Sequence, residues 1–177
     1  MGYKVESDFL HKEYRCVVIM GSCGYRCGYV GIPKEHPLHG VDYCDKVDCL
    51  KSSEMPDIPM DKAGLGQMLR GLVGEYQKKS ISPEMFFSVH GGITYSGGGE
   101  YPVESDGLWW FGYDCAHFGD GKDIEAIESP AAKEIEMQFP SCGIIRTNKY
   151  CEQECKNLAE QLAAVSCGKV GATWAKK

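Results

Sequence analysis

The sequence predicts an α+β domain, a mostly antiparallel sheet with helices packed on one face. Its elements read as strands, helix, strands, helix, without the regular βαβα alternation of a doubly wound sheet. Two short β-rich runs near the start are joined by a glycine-bounded turn, and the last third carries an amphipathic helical stripe. With 177 residues, 43% of them hydrophobic, the chain is the size of one domain and can bury roughly 70% of its unfolded surface. A single domain over 1–177 is expected, with no internal repeat.

Residues 14–20 (Tyr-Arg-Cys-Val-Val-Ile-Met) and 25–32 (Tyr-Arg-Cys-Gly-Tyr-Val-Gly-Ile) flank Gly21-Ser-Cys-Gly24, the grammar of a hairpin. The prolines of Pro33-Lys-Glu-His-Pro37 then end the pairing, because proline has no ladder donor, and a long loop follows over about 33–59. A loop of that length is a candidate rim or lid. Asp61 is placed to cap a helix through about Lys79, with Leu65, Met68, Leu69, Leu72, Val73 and Tyr76 as its apolar stripe. Gly64, Gly66 and Gly71 weaken that helix by roughly 1 kcal/mol each relative to alanine.

Met85-Phe-Phe-Ser-Val89 and Leu108-Trp-Trp-Phe-Gly-Tyr113 read as aromatic strands that form the central pairing. Residues 121–140 read as a partly helical excursion. From Thr147, residues Cys151, Cys155, Leu158, Leu162 and Val165 step by four and three, an amphipathic helix ended near Gly168, with a frayed C-terminus beyond.

Formal charge is −6, with 19 Lys+Arg against 25 Asp+Glu and no long basic run, so a nucleic-acid polymer is not an expected partner. A small anion remains compatible, since Lys34, Arg26 or Arg15 can make a local pocket positive inside an acidic protein. The N-terminus lacks an apolar signal region, no segment approaches a membrane span, and Glu6 breaks the myristoylation pattern. A cytoplasmic protein with no membrane partner is expected, and self-association is compatible with the sequence. The ten cysteines are expected to be reduced thiols. Their spacings do not match zinc knuckles, and Cys151 and Cys155 fall on the helix stripe as small buried residues.

The chemistry concentrates in His90-Gly-Gly-Ile-Thr-Tyr-Ser-Gly97 and Trp109–Asp120. His90 stands where an apolar run breaks at Gly91-Gly92, and Asp114, His117 and Asp120 recur at three-residue steps, so one turn of helix would gather them. Two imidazoles suit general base and general acid, with an aspartate fixing the tautomer of each. The same four residues, His90, His117, Asp114 and Asp120, also suit a divalent metal, which is therefore a candidate cofactor. Each has an unremarkable alternative as a satisfied histidine or a turn aspartate.

Tyr95, Trp109 and Trp110 offer surfaces for stacking a base, with Thr94 as a hydroxyl donor. Adjacent Trp109 and Trp110 must face opposite sides of a strand, so one of them needs a second layer, a partner or a ligand. Lys34 and His36, held between prolines, are candidate phosphate ligands. Esterase and thiol-protease readings fail, because there is no G-x-S-x-G elbow and Cys115 lies too close in sequence to His117 for a dyad.

The motifs Arg26-Cys-Gly-Tyr-Val-Gly-Ile-Pro-Lys-Glu-His-Pro-Leu-His-Gly40, Val89-His-Gly-Gly-Ile-Thr-Tyr-Ser-Gly97, Trp109–Asp120 and Glu154–Leu162 together resemble a family of small, largely uncharacterised proteins of tailed phages and prophages. The resemblance spans most of the chain, apart from the cysteine-rich segment 41–55, which is longer here. It implies a phage setting, in which proteins of this size often counter host defence by cleaving or sequestering nucleotide messengers. The expected activity is a phosphodiesterase-like hydrolase acting on a small or cyclic nucleotide. The alternatives are a binding protein that sequesters such a ligand and a protein inhibitor of a host enzyme anchored by the Trp pair.

Overall fold

The computed structural model describes residues 2–51 and 80–165. Its main sheet is formed by β1 (Tyr3–His11), β2 (Tyr14–Gly21), β3 (Arg26–Ile32), β6 (Tyr95–Gly98) and β7 (Trp109–Asp114). These five strands lie in the order β1-β2-β3-β7-β6, each antiparallel to its neighbours. Between β3 and β6 come β4 (Val47–Lys51), β5 (Ser80–Ile81) and the short helix α1 (Pro83–Phe86). After β7 follow β8 (Asp120–Gly121), a 3-10 turn (Ile124–Ala126), α2 (Pro130–Gln138), β9 (Ile144–Ile145) and α3 (Asn148–Ala164). This is the α+β architecture that the element order predicts.

The sheet is covered on both faces, by different means. α3 lies across β1, β2 and β3, where Cys151, Cys155, Leu158, Ala159 and Leu162 meet Cys16, Val18, Val30, Phe111 and Tyr113. Thr147 caps it by accepting the Tyr150 amide, so the four-and-three stripe buries as the sequence predicts. The opposite face buries Val17, Ile19, Tyr29 and Trp110 beneath Tyr95, Tyr101, Val103 and Leu108. There the cover is the connection between β6 and β7. Trp109 and Trp110 do face opposite sides, and each side is protein: Trp109 packs against the helix-side cluster and Trp110 is fully buried.

Nine cysteines among the described residues are free thiols, and five of them lie in the sheet–helix layer as small apolar fillers or at its margin. Burial pushes the Cys16 thiol up to about 12, which keeps it protonated and unreactive at neutral pH. No helix among the described residues is long and apolar enough to cross a membrane.

Several expectations are corrected. Residues 85–89 are not a central strand. Ser82 and Pro83 start a single helical turn, proline fitting the first helical position, and Phe86, Phe87 and Val89 are buried from a non-sheet segment. The partner of β7 is instead Tyr95–Gly98. The described part of the 33–59 loop is tied down, with Leu38 and Leu50 fully buried and β4 paired to β5. The strand β1 was not expected at all. It reaches β2 through Lys12 and Glu13, both at positive φ (51° and 69°), in a turn without the usual glycine or asparagine. The expected helix 61–79, its glycines, and Gly168 with the C-terminus lie outside the described residues.

Gly28 pairs with Tyr113 across β3 and β7, and a Cβ at Gly28 would land on the Tyr113 ring. That ring is fixed because its hydroxyl donates to the Cys151 carbonyl at 2.8 Å, tying α3 to the sheet. Gly28→Ala is therefore expected to lower stability by about 1–3 kcal/mol through overpacking. Urea denaturation measures this, and a variant as stable as the parent would show that the tyrosine is free to move.

Candidate functional site

The candidate site is built beyond the end of β7, where three segments meet: turn 88–94, loop 114–120 and the first turns of α3. β7 ends at Asp114, whose carboxylate folds back on its own loop. Its Oδ1 accepts the Ala116 amide at 3.0 Å and its Oδ2 accepts the Thr94 hydroxyl at 2.8 Å, a local turn that aspartate favours. The chain then returns through Gly119, at positive φ, to Asp120 at the start of β8. Asp114, His117 and Asp120 are thus gathered by a loop and not by the helical turn expected from their spacing.

His90 is the buried anchor of the arrangement, only 3% exposed. Its amide donates to Glu154 Oε2 at 2.9 Å. Its ring is held at both nitrogens, Nε2 at 2.8 Å from Asp120 Oδ2 and Nδ1 at 3.0 Å from the Tyr150 hydroxyl. The ionised Asp120 can accept only from Nε2–H, and in the tautomer that carries its proton there Nδ1 accepts the Tyr150 hydroxyl. Tyr150 and Glu154 lie four residues apart, on one face of α3.

Asp120 ties the segments together. It accepts His90 Nε2, the Arg146 Nε at 2.7 Å and the His117 amide at 3.0 Å. Burial alone would raise this carboxyl, but the hydrogen bonds from Arg146, His90 and the His117 amide hold it below the usual value. The stable form at neutral pH is therefore the carboxylate.

His117 is placed differently. Its ring packs against Gly91, which sits at φ +68°, and a Cβ there would fall inside the imidazole. Its Nε2 is buried yet makes no hydrogen bond among the described residues. The nearest acid is Asp114, whose Oδ1 stands 3.6 Å away, an ion-pair distance longer than a hydrogen bond. The side chain is about one-third exposed (34%), and the His90 and His117 ring centres are 5.8 Å apart. One imidazole is buried and bonded at both nitrogens; the other is about one-third exposed, with its Nε2 turned inward against Gly91 and toward Asp114.

No known protein family, characterised protein or solved structure matches this chain.

The remaining sequence candidates divide sharply. Thr94 belongs to the site through Asp114. Tyr95 lies on the far face of the sheet, edge-on to Tyr29 and Tyr101 at 5.5 and 5.4 Å, so it cannot stack a ligand held by His117. Trp110 is buried on that face, its indole N–H donating to Ser105 at 3.1 Å. The Trp109 N–H is taken by the Val41 carbonyl at 2.9 Å. His36 is buried at the other end of α3, with Nδ1 accepting the Leu38 amide and Nε2 donating to the Leu162 carbonyl at 3.0 Å. Tyr150 and Leu162 are separated by about 18 Å along a helix rising 1.5 Å per residue, which puts His36 far from His90. Burial lowers the His36 pKa, fitting a neutral structural ring. Lys34 is exposed and its Nζ lies over Gly107, in the cover of the sheet.

Arg15 and Arg26, expected as pocket cations, are engaged elsewhere: Arg15 with Asp8 at 2.7 Å, Arg26 with Glu6 at 2.7 Å. Among the described residues no group of three or more His, Cys, Asp or Glu side chains is disposed to hold a metal ion. The four residues considered as ligands are engaged with one another, with Thr94 or with α3.

Arg146, Tyr150 and Glu154 were not among the expected site residues. The signal available was slight: Arg146 directly precedes the helix cap, and Glu154 sits against the Cys151–Cys155–Leu158 stripe, where a charge is out of place. It is 1% exposed.

Proposed function

We propose that the protein is a phosphodiesterase-like hydrolase of a small or cyclic nucleotide, with His117 as the proton-transfer group and Asp114 as its orienting carboxylate. The observation that supports this reading is a histidine about one-third exposed whose inward Nε2 faces Asp114 at 3.6 Å and makes no hydrogen bond among the described residues. With Nε2 turned to Asp114, the nitrogen able to give a proton or use a lone pair is Nδ1, which makes no hydrogen bond among the described residues and is not one of the buried atoms lacking a partner. Water adds to phosphorus, its proton passes to the imidazole, and the same proton goes to the departing oxygen as the P–O bond breaks. His90 is a positioning residue in this scheme. Its nitrogens are committed, and it acts by fixing Asp120, which in turn holds the His117 main chain. The resemblance to phage proteins is what suggests a host nucleotide signal as the substrate.

The saturation of His90 favours a second reading, in which the site holds an intact nucleotide without cleaving it. An inhibitor anchored by the Trp pair has no support, because Trp110 is fully buried and Trp109 is bonded within the fold.

Incubation with a panel of cyclic di- and oligonucleotides and ADP-ribose derivatives tests these readings. Product formation is expected from at least one compound, falling about 10²–10⁴-fold in His117→Asn. Release of intact compound on denaturation supports the binding protein instead. If His117→Asn alters neither the fate nor the affinity of any compound, the site is wrongly assigned. A chelator arm reports metal dependence.

A further inference from the structure

We propose that Arg146, with Phe118 and Ile144 beside it, forms a recognition subsite for a phosphate ester bearing a flat aromatic group, that is, a nucleoside phosphate. The inference rests on the reading of His117 for its setting, but it concerns binding and stands on different residues.

Three constraints fix the Arg146 guanidinium. Nε donates to Asp120 Oδ1 at 2.7 Å, the group lies over the Tyr150 ring at 5.0 Å, and the residue's own carbonyl accepts Arg26 Nη1 at 3.0 Å. The side chain is 20% exposed. Its terminal nitrogens make no hydrogen bond among the described residues, and they are not among the buried atoms lacking a partner. The unused edge of the fork therefore opens to solvent. A guanidinium clamped at Nε and backed by an aromatic ring has already lost the freedom that binding would take from it, and its open edge matches two oxygens of a phosphate.

Two exposed apolar residues lie close to Asp120 and Arg146 along the paired segments β8 and β9. Phe118 is fully exposed and Ile144 is 64% exposed. They are neighbours, because the Ile144 amide donates to the Gly119 carbonyl at 2.8 Å and Ile144 pairs with Asp120. A fully exposed phenylalanine, in the loop that carries His117 and two residues before the aspartate that holds Arg146, offers a face on which a planar ring can lie. Phosphate on Arg146 and a base on Phe118 together describe a nucleotide, and neither neutral nucleosides nor bare phosphate would use both.

The test is calorimetric binding of AMP, adenosine and inorganic phosphate to the full chain. AMP is expected to bind at least about tenfold more tightly than either fragment. Arg146→Lys keeps a cation for Asp120 but loses the fork, so it should weaken AMP and phosphate alike, by about tenfold. Phe118→Ala, at a fully exposed position, should weaken AMP by about fivefold or more and leave phosphate unchanged. Melting temperatures near that of the parent confirm that both variants fold. The subsite is overturned if AMP fails to bind at millimolar concentration, or if both folded variants bind it as the parent does. Loss of AMP affinity in these variants alongside full turnover in His117→Asn would instead retain the subsite and remove the acid/base reading.

Discussion

Asp120→Ala is expected to destabilise the protein by about 3–5 kcal/mol, the usual consequence of removing one partner from a buried ion pair. Asp120 has a nearly inaccessible side chain (1%) and serves Arg146, His90 and the His117 amide at once, so its loss leaves three donors without their acceptor. The effect also has a pH signature. The folded carboxyl titrates below its ordinary value, so its stabilisation is fully present above the unfolded value near pH 4 and is lost as pH falls through the lower folded value. Urea denaturation of parent and variant should show a constant gap from neutral pH to about pH 5 and convergence in stronger acid. A gap below about 1 kcal/mol at neutral pH would mean that Asp120 behaves as a surface residue.

On the proposed role of His117, Gly91→Ala is expected to remove most of the activity without altering an acid/base group. Gly91 is at φ +68°, and its added methyl would occupy the space of the His117 ring, which must swing out. A displacement of about 1 Å in a reacting group is enough for a roughly 10²-fold loss of turnover. Left-handed strain contributes its own penalty of about 1–2 kcal/mol. Gly99→Ala separates the two effects. Gly99 has φ +96° and nothing within 4 Å of its added Cβ, so it carries the strain alone. Gly91→Ala inactive and Gly99→Ala active is the expected pair of results. Equal activity in the two would mean that His117 does not need its position.

What was legible in the sequence followed local rules. The Gly21–Gly24 turn, the stripe from Thr147 and the opposed faces of Trp109 and Trp110 are each dictated within a few residues of chain. Local patterns mislead where they have two solutions. Met85–Val89 has strand composition, but the proline at 83 starts a helical turn. The turn at Lys12-Glu13 lacks the residues that announce positive φ, so β1 went unseen. The site suffered most from distance. His90 was singled out because glycines follow it, whereas Arg146, Tyr150 and Glu154 acquire meaning only when α3 docks. Tyr95, Trp110 and His36 were candidates because aromatic and imidazole groups serve cores and ligands equally well, and only the sheet decides which face they take.

The docking of α3 also sets a clock. His90 and Glu154, joined by one hydrogen bond, are 64 residues apart in sequence. At synthesis rates of about 5–20 residues per second, His90 therefore waits several seconds for the carboxylate that receives its amide. Until α3 has emerged and closed on the sheet, Asp120 has no Arg146 and His90 no Tyr150. A nascent chain can therefore pair its early strands before the groups that surround His90 and Asp120 are in place.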